Sequence, residues 1–309
     1  MPDALKKVSG IIRDSSLSAN PIITEGLSDL WNGNGKLLRP GLLLIAAQFG
    51  KVQEKHYKLA AAIEMLHMAT LIHDDVIDDS PTRRGKPAVH TRFGKRDAVL
   101  IGDFLLSRCF VLTAEYTSPQ NALNLAKIIA IICAMEIEQN NDRFKSNISK
   151  RSYLRKIMGK SALLFSLACY TGSSEAKAPK IVCEKLRRIG YNIGIAFQII
   201  DDILDYSGNE EIVRKPLGND ITAGLVTMPA LCALPLNKPL QEIFSKENFS
   251  PEESENIFKL VREAGGVEAA GKIAETYTNR AIREINLLPK GNHREMLASL
   301  THQLLKKNN

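Results

Sequence analysis

The stretch His67-Met68-Ala69-Thr70-Leu71-Ile72-His73-Asp74-Asp75-Val76-Ile77-Asp78-Asp79, followed by Ser80-Pro81-Thr82-Arg83-Arg84-Gly85, decides how this chain is read. Four carboxylates fall within six residues. If residues 55–79 form a helix, Asp74 and Asp78 lie one turn apart on one face, with Asp75 and Asp79 beside them. Like charges at that spacing repel, so the helix end is destabilised unless a cation binds. A solvated acidic helix would show a broad polar face, whereas Met65, Leu66, Met68, Ala69, Leu71, Ile72, Val76 and Ile77 surround these carboxylates. Acidic groups in apolar surroundings must be compensated. Ligands of this density that offer only oxygen suit a hard divalent cation. Mg2+ usually reaches a protein through a few carboxylates and keeps water and phosphate oxygens as its other ligands.

A second run, Gly194-Ile195-Ala196-Phe197-Gln198-Ile199-Ile200-Asp201-Asp202-Ile203-Leu204-Asp205-Tyr206, repeats the Asp-Asp-x-x-Asp spacing in another apolar helical segment. One such motif is a weak signal; two in one chain are a strong one. Two carboxylate clusters can hold divalent ions around a diphosphate, and the implied chemistry is ionisation of that diphosphate.

Together with Gly35-Lys36-Leu37-Leu38-Arg39-Pro40 before the first motif and Arg83-Arg84-Gly85 after it, the pair resembles the trans-isoprenyl diphosphate synthases, or polyprenyl synthetases. Within them the chain is most similar to long-chain all-trans polyprenyl diphosphate synthases, over about Gly35 to Pro229. The resemblance implies an all-α, single-domain helical bundle over 1–309 with a central active-site cavity. It implies head-to-tail condensation of isopentenyl diphosphate with an allylic diphosphate. The metal would be Mg2+, three ions per site with bound diphosphate, on Asp74, Asp75, Asp78, Asp201, Asp202 and Asp205. Asp74, Asp78, Asp201 and Lys160 would serve catalysis. Lys36, Arg39, His67 and Arg84 would hold isopentenyl diphosphate, Arg83 and Lys160 would hold the allylic diphosphate, Lys215 is a candidate diphosphate ligand, and Gln198 is a further substrate-binding residue. His73 matches no binding role and is read as structural. Many relatives have Gly-Lys before the Thr-x-Pro that matches Thr227-Met228-Pro229, where this chain has Gly224-Leu225, which implies altered affinity rather than inactivity.

The resemblance implies that the residues preceding Asp74 act as a ruler for the growing hydrocarbon. Ala69 and Thr70 stand about one turn, ~7 Å, toward the helix N-terminus. Relatives making short products carry bulky aromatics there, so small side chains leave the way open. Met65 and Leu66 lie deeper, ~12 Å or more from Asp74. The floor is expected there or on Ile128, Ile131 or Ile132, and a product of about C30–C50, of the kind used for quinone side chains, is implied by the resemblance.

Composition is that of an ordinary globular protein, with 309 residues, 44% of them hydrophobic. The net charge of +7 favours anionic partners such as diphosphates or an acidic membrane surface met peripherally during product release. Nucleic acid is not expected, because no compact basic run interleaved with aromatics occurs. No membrane span is expected, because the most apolar stretch, 128–137, is interrupted by Glu136 and followed by Glu138. The N-terminus lacks the apolar core of a signal peptide, and the cytoplasm is the expected compartment. Five scattered cysteines read as reduced core thiols. Pro21 is expected to open a helix, Gly159-Lys160-Ser161-Ala162 to mark a bend, and Ser250-Pro251-Glu252-Glu253 to form a capping box. No strands are expected. A homodimer is the implied assembly. Alternatives are a short-chain farnesyl or geranylgeranyl synthase and a non-catalytic subunit of a heteromeric synthase. A terpene cyclase or head-to-head synthase ranks lower, for want of the second diphosphate's cations.

Overall fold

The computed structural model describes residues 1–32, 37–83, 85–145, 148–206, 221, 224–246 and 249–305. It is 81% helical and all-α, as expected. The exception is a pair of two-residue strands, β1 (Thr82–Arg83) and β2 (Lys86–Pro87), joined antiparallel with Thr82 opposite Pro87 and Arg83 opposite Lys86. By contact the chain divides into two compact units: Met1–Ala126, Leu167–Arg187 and Gly291–His293, and Lys127–Ser166, Arg188–Lys290 and Arg294–Asn309.

The first unit contains α1 (Pro2–Ser15), α2 (Pro21–Asn32), α3 (Leu38–Ala47), α4 (Glu54–Ile77), α5 (Val89–Phe93) and α6 (Lys95–Tyr116). Proline opens α1 and α2, where its missing N–H would have had no partner in the helix. A reciprocal pair of bonds between Gln53 and His56 starts α4. This helix is the spine of the unit: Leu59 to Leu66 are all buried, and it packs on α1, α3 and above all α6. The close approach to α6 requires Gly102, since a Cβ there would lie 2.3 Å from Nε2 of His73. That contact agrees with the structural reading of His73, whose Nε2 also lies 3.2 Å from the Val99 carbonyl.

Helix α7 (Pro119–Asn141) begins in the first unit and continues into the second. By length and composition it is apolar enough to cross a membrane, which the sequence reading did not expect. Glu136 and Glu138 fall in its last two turns, leaving a long apolar window ahead of them.

The second unit contains α8 (Lys150–Ile157), a π-helical turn (Met158–Ala162), the start of α9 (Leu163–Glu175) and most of α10 (Lys180–Leu204). It also holds α11 (Met228–Ala233), α12 (Lys238–Phe244), α13 (Pro251–Glu263), α14 (Gly266–Asn286) and most of α15 (Asn292–Leu305). Its core is Ile195, Ile199, Tyr206, Met228, Phe244 and Ile257 with their neighbours. The capping box at Ser250 and Glu253 forms as expected. The bend expected at residues 159–162 is the π turn, whose extra residue shifts the register of Lys160 and Ser161 relative to an unbroken helix. Four of the five cysteines are buried, Cys133 is exposed, and all are free thiols.

Candidate active site

Helix α4 ends at Ile77, with Asp78 as its C-cap and Asp79 beyond it in a left-handed conformation, φ 52°. The acidic motif therefore straddles a helix C-terminus rather than lying wholly within the helix. That end of the dipole is negative, so the four carboxylates gather where negative charge is least welcome. The chain answers with its own cations. Asp75, buried, is gripped through both Nε and Nη2 by Arg83 on β1. Lys95 Nζ stands 3.0 Å from the exposed carboxylate of Asp79, and His90 Nε2 stands 3.6 Å from it. Asp74 and Asp78 are half-buried at the same rim.

The second motif repeats this division by other means. Asp202 is buried and accepts hydrogen bonds from the Tyr153 hydroxyl, from Gln198 Nε2 at 3.1 Å and from the Met228 N–H at 3.4 Å. Ser161, in the π turn, donates to Gln198 Oε1 at 2.6 Å. This chain of bonds requires α10 to approach the preceding helix closely. Gly194 makes that possible, because a Cβ there would meet the Ala162 Cα at 2.5 Å. Asp201 is exposed and Asp205 half-buried. Lys160 Nζ lies 3.8 Å from Glu136, on α7. The Thr-x-Pro segment does more than precede a helix: besides the Met228 amide, Thr227 Oγ1 is 3.1 Å from the Tyr206 hydroxyl at the end of the motif.

Of the remaining expected residues, Arg39 is buried in the first turn of α3 and His67 is half-buried on α4. Met65, Leu66 and Ala69 are buried and Thr70 half-buried. Lys36, Arg84 and Lys215 lie outside the described residues. Leu225 is half-buried. Tyr153, Ser161 and the Met228 amide were not anticipated. Tyr153 carries no motif, and its role follows only from the packing of α8.

These residues fit a divalent cation in a particular way. Among the described residues no three His, Cys, Asp or Glu side chains converge to enclose an ion. The donor set at each motif is carboxylate oxygen, and Asp75 and Asp202 are held by protein donors. That suits a Mg2+ ion completed by phosphate oxygens and water, not one caged by protein alone.

Further along α4 the first unit holds a cavity of about 20 Å3, bordered by Leu59, Ala62 and Ile63 from α4, with Cys109 and Thr113 from α6. Thr117, just past α6, Asn121 and Leu125 of α7 and Leu167 and Thr171 of α9 complete it.

A family model described as polyprenyl synthetase matches residues 20–263. The chain is 34% identical over 290 residues to heptaprenyl diphosphate synthase component 2 of Bacillus subtilis, covering 93% of this chain and 83% of that one. It superposes on the crystal structure of heptaprenyl diphosphate synthase from Staphylococcus aureus with a TM-score of 0.96 and 31% identity, covering 100% of this chain and 98% of the other. With polyprenyl synthase from Caulobacter crescentus, complexed with calcium and isoprenyl diphosphate, the TM-score is 0.94 and the identity 33%, covering 98% and 94%. The doubled Asp-Asp-x-x-Asp, its fold and these likenesses agree, and this chain belongs to the polyprenyl synthetase family of trans-prenyltransferases.

Proposed function

We propose that this prenyltransferase condenses isopentenyl diphosphate head to tail with an allylic diphosphate in a Mg2+-dependent reaction and releases an all-trans polyprenyl diphosphate of about C30–C50. One observation carries the reading. In both motifs the second aspartate is buried and held by the protein's own donors, while the first and last stand at a rim reached by solvent. Two unrelated sets of donors produce the same division. Such repetition is expected if the outer carboxylates, Asp74, Asp78, Asp201 and Asp205, face a shared task while Asp75 and Asp202 fix their orientation.

Bound Mg2+ would supply neutralisation of the charge that builds on the departing diphosphate. The chain's own contribution is to bind and to orient. Arg83 spends Nε and Nη2 on Asp75, and a guanidinium has five donors, so the pair can aim the remaining N–H groups at the allylic diphosphate. Lys160, in the π turn, is also assigned to the allylic diphosphate. Arg39 and His67, with Lys36 and Arg84, are assigned to isopentenyl diphosphate. The allylic C–O bond breaks and the diphosphate leaves with its electron pair. The double bond of isopentenyl diphosphate then attacks the allylic cation, and the proton lost passes to the departed diphosphate. Apolar, buried Met65, Leu66 and Ala69 exclude water from the cation and give the tail a path.

We read 1–309 as one functional domain. Assembly as a homodimer is supported by exposed apolar residues on α6, the pairs Val99 and Leu100 and Phe110 and Val111. The word "component" in the Bacillus subtilis relative's name favours a second reading, a catalytic chain that needs a different subunit. Incubating the purified chain alone with Mg2+, farnesyl diphosphate and labelled isopentenyl diphosphate, and resolving the products by length, tests both. A ladder past C25 supports a self-sufficient long-chain enzyme. No product alone, with activity restored by a second subunit, supports the heteromer, and a stop at C15–C20 refutes the long-chain reading.

A further inference from the structure

Two of the donors that hold Asp202 come from outside its own helix, Tyr153 on α8 and the Met228 amide at the start of α11. Both segments are fastened to one place, the turn Asp142-Arg143-Phe144-Lys145 that follows α7. All of these residues lie in the second unit. The buried residues of α8 are Tyr153, Lys156 and Ile157, so the hydroxyl and the ammonium share one face about a turn apart. The ammonium of Lys156 stands 2.6 Å from Asp142 Oδ2, and that of the exposed Lys145 stands 3.3 Å from Oδ1. Burial alone would raise the pKa of the Asp142 carboxyl, but the hydrogen bonds and charges of Lys156 and Lys145 hold it below its ordinary value. The pair thus fixes α8 to the end of α7 as a charged contact.

The second fastening uses the backbone. The Phe144 N–H donates to the Gly224 carbonyl at 2.8 Å. Phe144 has φ 60°, a conformation that bulky residues rarely adopt and that persists only where the surroundings impose it. The bond to Gly224 does so, together with the ring, which packs on Phe249 with centroids 5.3 Å apart. Gly224 has φ 76°, and a Cβ on it would lie 2.5 Å from the Phe144 ring, so glycine is required on both counts. From Gly224 the chain runs through Leu225 and Val226 to Thr227, which meets the Tyr206 hydroxyl, and then to Met228. Four residues span at most about 14 Å, so a carbonyl fixed at Gly224 limits where the Met228 amide can stand.

Resting on the reading above, we propose that this turn positions the second motif: Asp142 acts through Lys156 and α8 on Tyr153, Phe144 acts through Gly224 on Met228, and the two arms close on Asp202. Asp142 and Phe144 are positioning residues and touch neither substrate nor metal in this scheme. Because one turn sets both outside donors, loosening either arm disturbs the orientation of Asp202. It disturbs Gln198 as well, which donates to the same carboxylate. The signature is a slower chemical step with unchanged affinity for isopentenyl diphosphate, whose assigned ligands Arg39 and His67 belong to the first unit.

Amide hydrogen exchange of the metal-free protein tests both arms without requiring turnover, so its failure is separable from failure of the catalytic reading. Exchange is read by mass spectrometry, with the Met228 amide resolved by fragmentation. Gly224→Ala and Asp142→Asn should each speed exchange of that amide at least tenfold. Initial rates with Mg2+, farnesyl diphosphate and isopentenyl diphosphate should show kcat at least tenfold lower, with KM for isopentenyl diphosphate within twofold of wild type. Asp142→Glu keeps the carboxylate and should bring exchange and kcat back to within threefold. Ile285→Ala controls for lost stability alone. It empties a buried site in the same unit, and it stands 19 residues, about 28 Å along α14, from Gly266, which lies against the Pro229 carbonyl. It should leave exchange at Met228 and kcat unchanged. Folding is checked by circular dichroism, and if one of Gly224→Ala and Asp142→Asn does not fold, the other decides. Unchanged exchange or unchanged kcat in a folded variant, or an equal rise in exchange in Ile285→Ala, overturns the proposal.

Discussion

Replacing Glu175 with Gln should destabilise the protein at neutral pH by an amount that its surroundings allow one to work out. Burial by itself would raise the pKa of this carboxyl. Lys55, the Ser118 N–H and Asn121 outweigh that effect and hold the pKa down, from an ordinary 4.5 to about 2. A depression of that size corresponds to about 3 kcal/mol of stability at pH 7. Because Lys55 keeps a quarter of its side chain exposed, and Gln can still accept from Ser118 and Asn121, about 2 kcal/mol is the expected loss. The folded pKa lies below the unfolded one, so the stabilisation is complete above about pH 4.5 and is lost as pH falls toward 2. Chemical denaturation of wild type and Glu175→Gln at pH 7, 5 and 3.5 measures this directly. The gap should be the same at pH 7 and 5 and shrink by roughly 40% at pH 3.5. A variant as stable as the wild type at pH 7, or a gap that does not narrow at pH 3.5, would refute the account of Glu175 as an ionised partner of Lys55.

Three further outcomes follow from the site. Asp74→Ala and Asp201→Ala should each lower kcat by about a thousandfold or more while the far-ultraviolet spectrum stays helical; near-normal turnover in either would remove that aspartate from the metal site. Tyr153→Phe takes a hydroxyl from buried Asp202 and should cost about 1–3 kcal/mol of stability together with a fall in turnover. Unchanged values for both would make the bond incidental. Ala69→Phe should shorten the products to C15–C20 in the ladder assay, and an unchanged ladder would take Ala69 out of the ruler.

The helical architecture and both acidic motifs were legible because they rest on local signals: apolar runs, proline and glycine punctuation, and a charge density that few other roles explain. Pro21, the Ser250 capping box and the bend at residues 159–162 all belong to this class. Three kinds of feature were not legible. Helix α4 stops at Ile77, two residues before the acidic run ends, because a helix boundary depends on the conformation that Asp79 adopts and not on its charge. The apolar length of α7 was underestimated because two glutamates near one end were allowed to count against the whole segment. The partners of Asp202 come from α8, α10 and the start of α11, elements separated by up to 75 residues, and no short-range pattern brings Tyr153 and Met228 together.

That last gap has a chemical consequence. Read from spacing alone, the three aspartates of a motif are equivalent oxygen donors, and all six enter the expected ligand set on equal terms. The fold makes them unequal. A carboxylate buried against Arg83, or one that accepts from a hydroxyl, an amide side chain and a backbone N–H, has its lone pairs directed into the protein. Turning it toward a cation would leave those donors unsatisfied, at a cost of about 1–3 kcal/mol for each. A cation that takes most of its ligands from phosphate and water asks less of these buried carboxylates. On the proposed reading the buried aspartates bear on catalysis through position. Arg83 is held against Asp75, and Gln198 is held between Ser161 and Asp202. Tyr153→Phe separates the two roles, because a ligand lost from Asp202 would change the metal concentration needed for half-maximal rate. A positioning defect would lower kcat at saturating Mg2+ and leave that concentration unmoved.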